Sequence, residues 1–508
     1  MKGFFGQVTA GWVRRRRSCG VSPRSVFGPG PLRVARRRRP RSIGRGAPTP
    51  RAVFLFASLL TLSRALAEEP PHGPLLLDEA VALALAHHPG VRVDAAVGEL
   101  RREQVAVARG GYLPDLNLTA ELVAGTGNVL RGSLFPTRGI PAVSGPPTGR
   151  GLTDAALGSL VGVSASWDLI GLAQRMAQVD AALAELDQAL AESGARRLAI
   201  AYAAADQFLD LVGRTEAVRA TQVALARARV FHTTVKALTD QSLRPGVDAA
   251  RAAAELALAE VQLVRAEQAE AMSRVELARA LGMAGQRIEV TPGGLLELPP
   301  STPAGEAPRH PLLIEADATV KAAQARRRVT ALSYLPRLDL VGALWIRGSG
   351  LVSGAVAPSP AAGLVPDTPN WATGLTFTWP LLELIAVRAR TAAASAEVRV
   401  ADARRQEVEQ AIQAQLDEAR ALLDAAYREA ASTPVTLAAA RATSDQANAR
   451  YRAGLATGVE VAEAERLLAQ AEIDDAAARL RVRRAELLLA RAAGDLGPFL
   501  ATVRPGGR

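Results

Sequence analysis

The pattern of apolar positions divides the chain into long helical stretches and short alternating stretches. Apolar side chains recur at spacings of three and four from Leu172 to Val212, which is the spacing of a coiled-coil seam. If the pattern runs unbroken to Thr239, it predicts one helix of about 100 Å. The stretch from Leu384 to Arg452 has the same character but contains Pro434, where we expect a kink or a break.

Four shorter stretches alternate between apolar and polar residues, which is typical of strands with one apolar and one polar face. Each of two strand pairs is joined by a long loop rich in Gly, Pro and Ser. Two hairpins are too few to close a barrel within one chain. The predicted strands are about 112–126 with 160–168 and about 337–347 with 371–380.

The chain carries an internal duplication. Gly246-Val-Asp248 corresponds to Gly458-Val-Glu460 at an offset of 212, and Tyr112-Leu-Pro114 corresponds to Tyr334-Leu-Pro336 at an offset of 222. Both glycine-containing bends are followed by alanine- and leucine-rich helical sequence. Each repeat therefore predicts one long helix beside two half-length helices stacked end to end.

The duplication and the local composition predict five segments. Residues 283–309 hold five prolines and read as a linker with little regular structure. The segments are a basic leader and signal peptide at 1–67, a first repeat at 75–282 with its tip at 243–248, the linker at 283–309, a second repeat at 310–494 with its tip at 454–460, and a tail at 495–508.

The leader has the composition of a secretory signal. Arginines precede an apolar run from Ala52 to Leu62, and Ala65-Leu-Ala67 supplies small residues for cleavage after Ala67. The run is too short to span a bilayer as a helix. The first thirty or more residues of the leader could instead be an over-extended translation start. Alternatively, the leader could be a solvated basic tail.

Charge and cysteine content narrow the class of protein. The 508 residues carry a formal charge of +11, but residues 1–67 hold 15 basic and no acidic residues, so the rest has a net charge of −4. Nucleic-acid binding is therefore disfavoured. The single cysteine, Cys19, excludes an intrachain disulfide and a lipid-modified cysteine at the predicted mature N-terminus.

Several motifs, in the same order in both repeats, resemble those of the TolC-type outer-membrane efflux and export channels. They are Leu77-Asp-Glu-Ala-Val-Ala-Leu-Ala-Leu85, His88-Pro89, Gly111-Tyr-Leu-Pro114, the tryptophans that end the second strands, Tyr451-x-x-Gly454 and Gly458-Val-Glu460. The glycine and arginine that usually follow the second strand are present only partly, as Gly171 with Arg175 and as Arg388 alone.

This resemblance implies a mainly α fold with a β-barrel portion. Two tandem repeats of long coiled-coil helical hairpins and two β-hairpins would assemble as a homotrimer with a twelve-stranded outer-membrane barrel and a periplasmic α-helical tunnel. The implied partners are a periplasmic adaptor (membrane fusion protein), an inner-membrane pump or ABC exporter, and outer-membrane lipid. No cofactor is implied.

The resemblance also suggests a site at the second bend. Acidic residues at the tip of the second hairpin line the narrowest point of such tunnels, and the matching residues are Glu460 and Glu463. Three copies of each would make two acidic rings that favour and bind cations. Alternatively, the two are first-turn carboxylates that stabilise the helix dipole. Asp248 and Arg251 hold the equivalent places in the first hairpin, and the tip glycines are Gly246, Gly454 and Gly458.

Other chemistry is weakly indicated. Arg244, Arg441, Arg450 and Arg452 could form ion pairs at a closed tip, although a solvated helix face is the favoured interpretation. His87 and His88 are adjacent and point in different directions on a helix, so we expect no metal site. No Gly-x-Ser-x-Gly, His-Glu-x-x-His or Walker sequence occurs, and we expect no enzyme activity.

The sequence therefore predicts a passive outer-membrane channel, the exit duct of a tripartite efflux pump or a type I secretion system for small molecules or proteins. The alternative is a periplasmic coiled-coil adaptor or scaffold, since adaptors also contain long helical hairpins. Alternation in all four strands and the twofold repeat favour the channel.

Overall fold

The structure, a computed structural model, describes residues 73–126, 155–241, 246–298, 309–352, 355–356, 359 and 361–503. All of these residues belong to the compact unit Glu69–Arg508. The predicted signal segment with its cleavage after Ala67, Cys19, and the tip residue Arg244 lie outside the described residues.

The first repeat has two short helices, a strand pair, a long helix and a return helix. The elements are α1 (Leu77–His87), α2 (Pro89–Gly110), β1 (Asp115–Thr126), β2 (Ala155–Asp168), α3 (Leu172–Asp240) and α4 (Gly246–Ala280). Of the linker, residues 283–298 are described, with a short 3-10 helix at Gly293–Leu296.

The second repeat follows the order of the first from α2 onward, with two additional short strands between its long strands. The elements are α5 (Pro311–Leu332), β3 (Arg337–Ser349), β4 (Leu351–Val352), β5 (Ala355–Val356), β6 (Thr368–Thr378), α6 (Glu383–Arg452) and α7 (Gly458–Ala493), followed by the terminal helix α8 (Gly497–Val503). The two-residue strands β4 and β5 pair with each other and form a separate small sheet.

The four long strands form one antiparallel sheet in the order β1-β2-β3-β6. The predicted alternation is present, because exposed Leu118, Leu344 and Leu375 share one face with their apolar neighbours. The opposite face carries polar residues such as Asn117, as well as a small cluster in which Leu160 packs on Ala343 and Trp345. β1 and β6 are the outer strands of the sheet.

Both long helices are continuous. The predicted helix from Leu172 is confirmed, and it ends at Asp240. The sequence predicts a kink or a break at Pro434, and the break is wrong, since α6 runs through that residue. A proline costs the helix one hydrogen bond and some crowding. Close packing against α7 offsets this cost, because Ala430 is 1% exposed and the Thr433 hydroxyl donates to the Asp475 carboxylate at 3.0 Å.

The half-length helices of each repeat meet end to end beside the long helix. Gly282 follows α4 with φ +74° and Gly494 follows α7 with φ +88°, the left-handed backbone that ends helices. A Cβ on Gly282 would lie 2.8 Å from His88 Cα, and one on Gly494 would lie 2.9 Å from Pro311 Cδ. The return helices thus end directly against the starts of α2 and α5.

The largest hydrophobic core lies where the start of the described chain, the linker and the terminal helix meet the long helices. Leu75 bridges Val290 in parallel fashion, and Phe208, Leu487 and Phe499 are buried in the same cluster. Arg483, 4% exposed, fixes the linker to α7 because it donates to the carbonyl oxygens of the 3-10 helix region at 3.1 and 3.0 Å.

The coiled-coil seam of α3 is buried over only part of its length. Ala205, Leu209 and Val212 are almost fully buried, whereas Met176 and Leu190 nearer the sheet are about half exposed. Apolar surface of this extent on a helix indicates a further partner. In the described part of the chain, no helix combines the length and apolar character required to cross a bilayer.

Candidate functional site at the second helical bend

The second bend is built by a glycine stop and a capped restart. Gly454 has φ +79°, and the backbone N–H of Leu455 donates to the Arg450 carbonyl at 2.8 Å, which closes the end of α6. Thr457 then caps α7, because its hydroxyl accepts from the Glu460 N–H at 3.4 Å. Glu460 reciprocates, since its carboxylate accepts from the Thr457 N–H at 3.2 Å. This is a capping box.

Glu463, one turn further along, has a basic partner on its own helix. The Arg466 guanidinium donates to both carboxylate oxygens, at 2.6 and 3.2 Å. This hydrogen bonding, together with the positive charge, lowers the pKa of Glu463 below its usual value. Both side chains are largely exposed, so the pair stays accessible to solvent and ions.

The two bends pack together through a small apolar cluster. Val235 of α3, Ala252 of α4 and Val461 of α7 are fully or almost fully buried. Tyr451, 2% exposed, stacks in a tilted arrangement on Phe231 with 5.5 Å between ring centres. This cluster fixes the ends of the two hairpins relative to each other.

The tip residues of the first hairpin lie at the start of α4. Gly246 is the first residue of that helix and has open space around the position of a Cβ. Asp248 approaches the second bend, because its carboxylate lies 3.7 Å from where a Cβ on Gly458 would stand. Arg251 is exposed. The first bend therefore contacts the second through Asp248 rather than through a matching pair of acids.

A polar network ties the first repeat to the second above the bends. Arg227 of α3 contacts two carboxylates of α7, Glu465 at 3.0 Å and Glu472 at 2.8 Å. Glu465 also accepts from Ser444 Oγ and Asn448 Nδ2 of α6, both at 2.8 Å. Three helices thus converge on two half-buried ion pairs that share Arg227, and partly buried charges attract each other more strongly than exposed ones.

The remaining arginines of the predicted tip lie on exposed helix surface. Arg441, Arg450 and Arg452 are all exposed, and Arg450 donates to the Leu455 carbonyl across the bend at 3.3 Å. His88, considered for metal binding, accepts from the Gly90 N–H at 3.1 Å and caps α2.

The sequence pointed to Glu460 and Glu463 but not to the arginines that pair with carboxylates near the second bend. Arg466 could have been found, because acidic and basic residues three apart face each other on a helix. Arg227 could not, since it is distant in sequence from the glutamates that it contacts. The structure brings Asp248 and Gly458 together at one tip and directs Glu463 toward Arg466.

The chain is similar in sequence to known proteins. The sequence model of the family described as outer membrane efflux protein matches residues 80–283 and 306–495, which include both repeats and both bends. Protein CyaE of Bordetella pertussis is 28% identical over 459 residues, a span covering 83% of this chain and 85% of CyaE.

Solved channel structures share the fold. The CmeC outer membrane channel of Campylobacter jejuni superposes with a TM-score of 0.68 at 14% identity, covering 82% of this chain and 85% of CmeC. The outer membrane protein VceC of Vibrio cholerae gives a TM-score of 0.66 at 19% identity, covering 82% of this chain and 96% of VceC.

Proposed function

The chain belongs to the outer membrane efflux protein family, and from that premise we propose that it is a passive exit duct. Three copies form a barrel in the outer membrane and a helical tunnel in the periplasm. Small molecules or proteins leave through this duct, as part of a tripartite efflux pump or a type I secretion system. The chain itself is no enzyme and needs no cofactor, so a partner supplies the energy.

The sheet is the observation that supports the proposal most strongly. One face is apolar and exposed along all four strands, as Leu118, Leu344 and Trp371 illustrate with exposures of 76%, 69% and 73%. A surface of this kind suits lipid, and a sheet in lipid must close so that its edge groups are paired. Four strands per chain leave β1 and β6 as edges, and three copies supply the twelve strands of a wide barrel.

Glu460 and Glu463 are the proposed constriction. In a trimer, the second bends bring up to six of these carboxylates to one passage, where they attract cations. Their local partners support a division of roles, because Glu463 is paired with Arg466 whereas Glu460 is held only by the capping box. Glu460 therefore carries most of the negative potential, with Asp248 and Arg251 on the rim.

The proposed partners are a periplasmic adaptor and an inner-membrane pump or ABC exporter. The exposed apolar face of the sheet argues against the alternative, a periplasmic adaptor or scaffold, because such a protein has no lipid to cover that face. Cell fractionation distinguishes the two. A channel stays with the outer membrane through a high-salt wash, whereas release into the wash would favour the adaptor.

A further inference from the structure

We propose that β6 of one copy pairs with β1 of the next copy in a defined register, with Leu375 opposite Leu122 and Thr376 opposite Glu121. The proposal rests on the proposed trimer and adds the residues that join its subunits. Two strands, Asp115–Thr126 and Thr368–Thr378, form the edges of the sheet, so each has one row of backbone groups to offer a partner.

The register follows from the internal repeat, which the strand pairing reproduces residue for residue. Asp115 pairs with Ser166 in the first hairpin. Moving β1 forward by the repeat offset of 222 and β2 by 212 gives Arg337 opposite Thr378, and this is the pairing observed in the second hairpin. The two hairpins therefore have identical registers. The two offsets, here called the repeat operator, convert residues of one repeat into their structural equivalents in the other.

The same operator converts the junction inside the chain into the junction between chains. Within one chain, β2 meets β3 with Val163 opposite Leu344. The second-repeat equivalent of Val163 is Leu375, and the first-repeat equivalent of Leu344 is Leu122. In a ring of alternating repeats, β6 followed by the next copy's β1 repeats the β2 to β3 step, so these two leucines face each other.

The derived register also matches the chemistry of the two edges. On the apolar face it sets Leu375 against Leu122 and Phe377 against Ala120, and on the polar face it sets Thr376 against Glu121. A slip of one residue would place apolar side chains opposite polar ones. Parity alone allows slips of two residues, which the repeat operator excludes.

The helices carry the same relation. Leu100 of α2 is 55% exposed, whereas its second-repeat equivalent, Ala322, is fully buried. Val275 of α4 is 66% exposed, whereas its equivalent, Leu487, is fully buried. The first repeat thus presents apolar residues at positions that its duplicate buries, and the second repeat of a neighbouring copy is the surface that fits them.

Applied to the two helical bends, the repeat operator predicts a contact between subunits at the proposed constriction. The contact of Asp248 with Gly458 inside one chain becomes a contact of Glu460 with Gly246 of the partner subunit. The open space around the Cβ position of Gly246 in the single chain is then the room into which that glutamate fits. Subunit contact and constriction would share one residue.

Disulfide formation in the full chain tests the register. In a Cys19→Ser background, the pairs Leu375→Cys/Leu122→Cys and Thr376→Cys/Glu121→Cys face opposite sides of the sheet, so one of them occupies the closely spaced position of the ladder. Oxidation in outer membranes should link chains into covalent dimers and trimers. We expect at least roughly tenfold more linked chain than from the shifted pairs Thr376→Cys/Thr119→Cys and Thr376→Cys/Val123→Cys.

Controls separate the register from the trimer. Ser164→Cys/Ala343→Cys joins residues paired within one chain and should oxidise without linking chains. Light scattering of the detergent-extracted protein gives the number of copies. A trimer in which a shifted pair links best, or in which no pair links although the intrachain control oxidises, overturns the register alone. A single-chain mass overturns the proposed trimer, and the register with it.

Discussion

At the scale of single residues, the Glu460 carboxylate has one observed role and one proposed role. Glu460 completes the capping box with Thr457 and is also the proposed source of negative potential at the constriction. The cap needs only an acceptor at this position, whereas the potential needs a charge. Substitutions can therefore remove one purpose and keep the other.

Glu460→Gln should reduce cation selectivity and block by divalent ions while leaving the helix start intact, because glutamine also completes a capping box. Thr457→Ala should do the reverse, with a loss of about 1 kcal/mol of helix stability and unchanged selectivity. Reversal potentials in planar bilayers and thermal unfolding measure the two effects. Equal selectivity in Glu460→Gln and the parent would make Glu460 a capping residue alone.

Arg466→Gln should increase cation selectivity. Arg466 hydrogen-bonds both oxygens of Glu463 and lowers the pKa of that carboxyl, so its removal leaves three uncompensated charges in the trimer. Block by divalent ions should strengthen in the same recordings. The matched control is Glu463→Gln/Arg466→Gln, which should return toward the parent. An unchanged Arg466→Gln channel would show that Glu463 lies away from the ion path.

Stability should fall in mild acid because of His310. Its Nδ1 accepts from the Leu312 N–H at 3.1 Å, and burial lowers the pKa below the ordinary value of 6.5. The unfolded chain thus binds the proton more readily. Stability is full above that value and decreases as the pH falls through it toward the folded-state pKa. His310→Asn keeps a capping acceptor and cannot titrate, so its melting temperature should vary less between about pH 7.5 and 5. An identical pH dependence in both proteins would contradict this origin.

At the scale of elements, the joints between half-length helices are the most constrained points. Gly494 combines a left-handed backbone with close contact to the start of α5, whereas Gly285 has φ +89° and open space around it. The two glycines therefore separate backbone strain from crowding.

Gly494→Ala should destabilise the protein by about 2–5 kcal/mol. The strain of an alanine in the left-handed backbone region costs about 1–2 kcal/mol, and overpacking against α5 adds about 1–3 kcal/mol. Gly285→Ala should cost only the strain. Melting temperatures of the two variants in the same detergent provide the measurement. Equal losses would mean that the joint relaxes without resistance.

Most elements were predictable from sequence because their periods are long and regular. The seam from Leu172 and the alternation around Leu118 sufficed for α3 and β1. Pro434 does not break α6, and local propensity could not predict this, because the continuity depends on the packing of Ala430 and the hydrogen bond of Thr433. The Arg227 network could not be predicted from the sequence either, since it depends on which helices become neighbours.

At the scale of the whole molecule, the duplication organises both fold and assembly. In the proposed trimer, two repeats with identical strand registers make one chain a third of a ring of six similar units. The exposed apolar face of the sheet and its two open edges both require other copies and lipid. The proposed passive channel depends on this assembly, because three copies would enclose a path that no single chain contains.

Single-channel recording in planar lipid bilayers tests the passive channel most directly. Purified protein of trimeric mass should produce stepwise conductance in salt solution with no nucleotide, pump or adaptor present. The conductance should favour cations and decrease with added divalent ions, because the proposed constriction contains the Glu460 carboxylates of three chains. Lipid flotation confirms insertion in parallel. Inserted trimers that never conduct would contradict the channel and favour a scaffold.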